Sequence, residues 1–323
     1  MSAGQETPTN STANAETPAE ERLQLSDSNG ENRVKQKFIM HANQTLLYQH
    51  VEFLTTLRPF RNHLNIASLD RVRDYMKQQF ATYGLEVSEQ PFEVNGRNYC
   101  NVIASYNSGG KRRLIVGAHY DVCGDQPGAD DNASAIAGLL ESARMVASEK
   151  PAIDYRIDFV AFCLEEPPYY GTHEMGSYVH ANSIKHLKQD LIGLINFEMI
   201  GYFNEGDQPY PDPRLKAAYP QKANFIAVVG KQKYHDFNQR VFEIMKAKAD
   251  IDVQIIDHPM VESLAGMSDQ RSYWEFDIPA LMINDTSFLR NPHYHQMSDD
   301  IETLSFDHMK EVVTCTHKAI IGF

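Results

Sequence analysis

The sequence predicts an α/β protein in three layers: a mainly parallel, twisted mixed sheet with helices on both faces. Three observations predict it. Strand-length apolar segments alternate with helical ones from about residue 113 to the C-terminus, the pattern of strands joined by crossover helices. Runs such as Leu114–Ala118 are continuously apolar, as strands covered on both faces are. The chain has 323 residues, 42% of them hydrophobic, enough for a sizeable core.

In chain order, residues 1–33 are Ser, Thr, Asn, Glu, Pro and Gly with almost no large apolar side chain, so burial cannot offset their ordering entropy. They are expected to form a disordered acidic tail, followed by a single domain over 34–323. Helices are expected at Val34–Leu57 and Ser68–Tyr83, the second closed by Gly84. Strands Glu86–Val94 and Asn98–Ser105 flank Asn95-Gly96, a hairpin signal. Then come strand Arg113–Ala118, helix Asn132–Ser148 with Asn132 as its N-cap, and strand Tyr155–Leu164. Helix Gly176–His186 and strand Leu191–Phe197 follow. The remainder reads as strand Phe225–Val229, helix Tyr234–Ala247, strand Val253–Ile256, helix Asp269–Trp274, strand Ala280–Ile283 and helix Phe306–Ile320. Residues 201–223, rich in proline, form one long connection, a length more often functional than accidental.

Composition excludes several classes. The 43 acidic against 30 basic residues give a formal charge of −13, the wrong sign for a protein that neutralises nucleic-acid phosphates. No stretch reaches the roughly 18–20 apolar residues of a membrane-spanning helix. The N-terminus has neither the basic start nor the apolar stretch of a signal peptide, so a cytoplasmic location is expected. The four cysteines form no CxxC pair and read as ordinary thiols.

Ligands of open α/β sheets bind beyond the carboxyl ends of the strands. There the sequence places His119 after LIVGA, Glu165 and Glu166 after IDFVAFCL, and Glu198 after LIGLINF. Asp130 and Asp131 lie in the loop before the first crossover helix, and His295 follows PALMIND. Each has an ordinary explanation by itself: a surface imidazole, a capping turn, a solvated strand exit. Their coincidence on one edge points to a metal site of nitrogen and oxygen donors, suited to zinc or to harder ions such as manganese or cobalt.

The motifs GAHYD (117–121), PGADDNAS (127–134), EE (165–166), FEMIG (197–201), SD (268–269) before IPALMI, and NPHYHQMSDDIETL (291–304) resemble the co-catalytic zinc aminopeptidase family. That family includes bacterial leucyl aminopeptidases, glutamate carboxypeptidase and, more distantly, glutaminyl cyclase. The resemblance implies the zinc-dependent exopeptidase fold and two Zn²⁺ ions per chain, for which Co²⁺ or Mn²⁺ can substitute. It implies His119, Asp131, Glu166, Glu198 and His295 as metal ligands, with Asp131 bridging and His293 the runner-up to His295. Asp121 would orient the His119 imidazole, and Glu165 would be the general base. Glu198 stands where the family often has Asp. Ala265 replaces a tyrosine that stabilises the oxyanion in some relatives, leaving Tyr202 and Tyr294 as replacements to test. Gln270 stands where relatives have His, and Pro167-Pro168-Tyr169-Tyr170 replaces a glycine-containing turn.

The expected function is a metal-dependent exopeptidase, in the first place an aminopeptidase acting on peptides or small amides through a water activated by both metals. The alternatives are a single-zinc acyltransferase like glutaminyl cyclase and a non-catalytic binding protein on the same fold. Cys123 is set aside as a ligand because the donor set is complete without it, and His173 and His180 are expected at the surface. Arg271 and Arg290 are the cations available to a substrate carboxylate.

Overall fold

The computed structural model describes residues 20–26, 32–38 and 40–323, the first two segments as backbone only. Contacts divide the chain into two units, Met1–His41 and Ala42–Phe323. In the first, β1 (Glu20–Ser26) and β2 (Asn32–Phe38) pair antiparallel, with Leu23 opposite Lys35. Composition and spacing predict instead an unstructured segment through residue 33 and a helix from Val34. The local signal for the pairing is alternation, Leu23 and Leu25 and then Val34 and Phe38, around Asn29-Gly30. Residues 1–19 and 27–31 of the expected tail lie outside the described residues.

The second unit opens with α1 (Gln44–Thr56), ten residues later than expected, because Asn43 caps it: its side chain accepts the Leu46 N–H at 3.1 Å. Helix α2 (Ile66–Thr82) ends at Gly84, whose φ of +79° lets the chain reverse. The hairpin β3 (Glu86–Val94) and β4 (Arg97–Tyr106) turns at Asn95 and Gly96, with φ of +52° and +75°, as a type I′ turn needs. There follow β5 (Arg112–His119), α3 (Ala135–Glu149), β6 (Tyr155–Phe162), α4 (Gly176–Ile184) and β7 (Leu191–Glu198). Next are α5 (Pro213–Ala218), β8 (Phe225–Gly230), α6 (His235–Lys246) and β9 (Asp252–Ile256). The chain closes with α7 (Glu262–Ala265), α8 (Gln270–Trp274), β10 (Ala280–Asn284) and α9 (Phe306–Ile320).

The sheet runs β3-β4-β6-β5-β7-β10-β8-β9. Its centre, β6-β5-β7-β10, is parallel throughout, and antiparallel pairs join β3 to β4, β4 to β6 and β8 to β10. Strand alternation separates the two faces. Leu194 packs with Ile115, Phe162, Ala181 and Tyr273, the last two from α4 and α8. Phe197, three residues on, faces α3 and α9, where Gly138 permits close approach: a Cβ there would stand 2.8 Å from Ile200 Cδ1 and 3.3 Å from Val313.

Asn132 does not cap α3. The chain makes an irregular turn over Ala129–Ser134, non-helical at Asp131 and Asn132, and α3 begins at Ala135. The Asn132 side chain is spent elsewhere, its Oδ1 accepting the Met199 N–H at 2.9 Å at the end of β7. Segment 201–223 carries α5 and folds back on itself, with the Asn204 N–H donating to the Ala223 carbonyl at 2.9 Å. No helix among the described residues is long and apolar enough to cross a membrane.

Candidate metal centre

The four central strands deliver their chemistry to one edge. His119 and Glu198 are the last residues of β5 and β7, Glu165 and Glu166 follow β6, and His295 lies in the loop after β10. Leu164 (+66°), Met199 (+46°) and His295 itself (+57°), three non-glycine residues at or next to the candidate ligands, adopt positive φ. Such conformations are rare and cluster where function holds the backbone. Here each one turns the chain immediately before, after or at a candidate ligand.

The side chains form two overlapping groups. His119 Nε2 stands 3.5 Å from Asp131 Oδ1 and 3.4 Å from Glu198 Oε2. On the other side, His295 Nε2 stands 3.1 Å from Asp131 Oδ2 and 3.4 Å from Glu166 Oε2. Asp131 therefore offers one oxygen to each imidazole. Glu165 Oε2 is 4.0 Å from His119 Nε2, on the His119 side. His119, Asp131, Glu165, Glu166 and Glu198 are each less than a tenth exposed. His293 stays outside this cluster, its Nδ1 2.9 Å from Ser298 Oγ.

The loops that carry these groups are tied down by Asp121, expected from the sequence to orient His119, and by Asp299 and Arg61, to which the sequence assigns no role. Asp121 lies 3.5 Å from His119 Nδ1, long for a hydrogen bond, and its two oxygens accept the backbone N–H groups of Glu165 and Glu166. Asp299 repeats the arrangement, accepting from Asp130 at 2.9 Å and Asp131 at 3.1 Å. Buried Arg61 donates to the carbonyls of Tyr120, Pro127 and Gly128, clamping the His119 loop to the Asp131 loop. Gly128 is required there: its φ is +59°, and a Cβ would meet the Asp131 carbonyl oxygen at 2.2 Å. Glu198 is oriented by Ser268 Oγ at 2.7 Å and Asn132 Nδ2 at 3.1 Å. Asp299 and Ser268 fall within the quoted motifs, whereas Arg61 carries no local signal.

Electrostatically the cluster is short of positive charge. Burial, with Asp131 adding to it, pushes the Glu166 carboxyl up to about 8, and burial pushes Glu165 well above the usual carboxylate range. Asp131 is held down against its burial by the close His295 and His119 imidazoles. His295 is raised to about 10: burial opposes its charge, but Asp131 and Glu166 outweigh it. Buried Asp269, its two oxygens without partners, is pushed up to about 7 by burial. Glu166 Oε1 and His295 Nε2 also lack a hydrogen-bond partner among the described residues. Buried donors of this kind, converging with no lysine or arginine paired to them among the described residues, fit divalent ions held by nitrogen and oxygen. His119, Asp131 and Glu198 could hold one ion, and His295, Asp131 and Glu166 a second.

Other expectations fare differently. Tyr294 stacks on His295 with ring centroids 3.7 Å apart, and burial, then Asp131 and Glu166, raise its phenol. Tyr202 instead packs against His293. His180 is not at the surface but buried, its Nδ1 2.6 Å from Tyr273 Oη, because α4 turns it onto the sheet; His173 is exposed as expected. Arg290 is committed inside the fold to Gln208 Oε1 and the Phe225 carbonyl, while Arg271 lies over the Tyr170 ring. Segment 201–223 and β10 close an apolar pocket lined by Tyr210, Leu215, Tyr219, Ala265, Met282 and Asn284. It adjoins the centre through Asn284, whose Nδ2 donates to the Glu198 carbonyl at 2.6 Å.

Known proteins resemble this chain in sequence and in fold. The description of peptidase family M28 matches residues 101–320. The Escherichia coli (strain K12) protein YfbL is 38% identical over 284 residues, 84% of this chain and 86% of its own length. A probable leucine aminopeptidase of Arthroderma otae is 27% identical over 289 residues, 84% of this chain and 69% of its own. Among solved structures, BSAP, a zinc aminopeptidase from Bacillus subtilis, superposes with a TM-score of 0.71 over 88% of this chain and 95% of its own, at 14% identity, a likeness of fold. A family match over more than half the chain, centred on a buried cluster of metal-type donors, identifies the protein as a metallopeptidase of peptidase family M28.

Proposed function

We propose that the protein is an aminopeptidase that works with two divalent ions, zinc in the first place, and with Glu165 as general base. The observation that carries this reading is Asp131. One of its carboxylate oxygens faces His119 at 3.5 Å and the other faces His295 at 3.1 Å, an arrangement suited to bridging two ions. The likeness to a leucine aminopeptidase supports the substrate class.

When bound, the ions would supply Lewis-acid polarisation of the scissile carbonyl and acidify a water molecule. Glu165 would take the proton from the attacking water and return it to the leaving amine. Burial raises the Glu165 carboxyl well above the usual carboxylate range, with nearby His119 pulling the other way, which is the direction a group that takes up a proton from water requires. The Asp121 carboxylate fixes the backbone of Glu165 and Glu166, so the proton carrier and the adjacent ligand keep their separate directions. The apolar pocket beside Glu198 would receive an uncharged side chain at the substrate's N-terminus.

Elemental analysis paired with a panel of aminoacyl amides and N-blocked controls tests the reading. Two ions per chain and turnover only of free N-termini are expected. One ion per chain with cyclisation of N-terminal glutamine would favour the glutaminyl cyclase alternative, and no ion with no turnover the binding-protein one.

A further inference from the structure

Cys123 lies four residues beyond His119 and has no part in the function proposed above. Its Sγ, a carboxylate oxygen of Glu166 and an imidazole nitrogen of His295 nevertheless all lie within 4.8 Å of one another. Two members of this trio are the groups that, with Asp131, form the His295 half of the centre. The approach is built into the backbone. Gln126, 4% exposed, sets one terminal atom of its side-chain amide 2.8 Å from the Cys123 carbonyl oxygen and 3.1 Å from that of His295, and with the amide turned so that this atom is its nitrogen it donates to both and ties the two loops together. The Val122 N–H donates to the Arg61 carbonyl at 3.3 Å, and the Gly124 N–H to the Val122 carbonyl at 3.0 Å, so the turn around Cys123 is fixed on both sides.

A second observation points to a ligand here. Glu166 is 4% exposed, and its Oε1 has no hydrogen-bond partner among the described residues; His295 Nε2 has none either. An unpaired polar atom in a protein interior is costly, and a cation is the partner that a carboxylate oxygen, an imidazole nitrogen and a sulfur can share.

We propose that Cys123 is a fourth protein ligand, through Sγ, of the ion held by Asp131, Glu166 and His295, an assignment that rests on the two-metal reading above. In tetrahedral zinc sites with Zn–S near 2.3 Å and Zn–N near 2.0–2.1 Å, ligand atoms stand about 3.6 Å apart. Small side-chain adjustments bring the trio to that spacing. Binding forms the metal–sulfur bond and releases the thiol proton to solvent. The two metal positions are then chemically unequal. The His119 position, with oxygen and nitrogen donors only, tolerates zinc, cobalt or manganese, whereas the position with sulfur selects zinc or cobalt and discriminates against manganese.

The test loads the full chain with Co²⁺ and follows near-ultraviolet absorbance together with bound cobalt per chain, for the wild type, Cys123→Ser and Cys123→Ala. A sulfur-to-cobalt charge-transfer band that grows with one of two cobalt equivalents and is absent from both variants is expected. Affinity for that equivalent should fall by roughly tenfold or more in Cys123→Ala. Binding of two cobalt ions to the wild type without the band, or a band that persists in Cys123→Ala, overturns the assignment and leaves the two-metal reading standing. Binding of a single cobalt with the band keeps the sulfur ligand and overturns the count of two. Binding of no cobalt overturns both.

Discussion

Asp121 holds Glu165 by its backbone: Asp121 Oδ1 accepts the Glu165 N–H at 3.1 Å while Oδ2 accepts the N–H of the next residue at the same distance. Asp299 treats Asp130 and Asp131 in the same way. Each acidic doublet of the centre is thus gripped by one buried carboxylate, which fixes where two successive side chains leave the chain.

Asp121→Asn should show what this grip contributes. The amide keeps one acceptor oxygen but turns its NH₂ toward a backbone N–H, so one of the two bonds is lost. A fall of roughly 10- to 100-fold in metal affinity or kcat is expected. The melting temperature should drop too, a buried hydrogen bond to a charged group contributing about 1.5–3 kcal/mol. Metal titration and a thermal melt check both, and wild-type values in each would remove Asp121 from the machinery.

The glutamate pair should divide by measurement. Glu165→Gln keeps shape but cannot take a proton, so kcat should fall by roughly 10² or more with metal content near wild type. Glu166→Ala should lose metal first, with activity partly recovered in excess zinc. Loss of metal in Glu165→Gln with full activity on re-addition would reverse the two roles.

Chelation should abolish turnover and also lower the melting temperature, because the apo centre leaves its buried carboxylates without a counter-charge. Ions present at about a thousand times their Kd stabilise the fold by about 4 kcal/mol. Zinc should restore both properties. Full activity after long incubation with chelator would be incompatible with the metal-dependent mechanism.

Tyr294→Phe should lower kcat roughly tenfold or more with little change in KM, as expected of a phenol that stabilises developing negative charge on the substrate oxygen. Tyr202→Phe, whose ring packs against His293, should change neither. Steady-state kinetics on one aminoacyl amide decide between them.

His180 makes the fold sensitive to acid. Burial lowers its pKa to about 4 from 6.5, so between these values the unfolded chain binds a proton that the folded chain does not. Its contribution is complete above pH 6.5 and disappears as pH falls toward 4, with about 2 kcal/mol lost by pH 5. His180→Asn, which keeps an acceptor for Tyr273, should shrink the difference in urea unfolding free energy between pH 7.5 and pH 5. An unchanged difference would place the sensitivity elsewhere.

The order of strands and helices is legible in the sequence because burial on both faces of a parallel sheet writes itself as short apolar runs. The end of each run then marks the sheet edge where His119, Glu165, Glu166 and Glu198 emerge. Strand pairing order, the irregular turn at Asp131 and Asn132, and the burial of His180 depend on residues far apart in the chain, and no local pattern encodes them. The β1–β2 pairing is the converse: alternation of Leu23 with Leu25 and of Val34 with Phe38 encodes it locally, in a segment whose composition favours disorder. What the tertiary structure alone decided is which side chains grip the centre. Arg61 reaches the Tyr120 and Gly128 carbonyls across some sixty residues, and Asp299 reaches Asp131 across 168. A hydrogen bond is satisfied by distance in space, which sequence separation does not constrain, so these partnerships arise only when the fold brings the residues within reach.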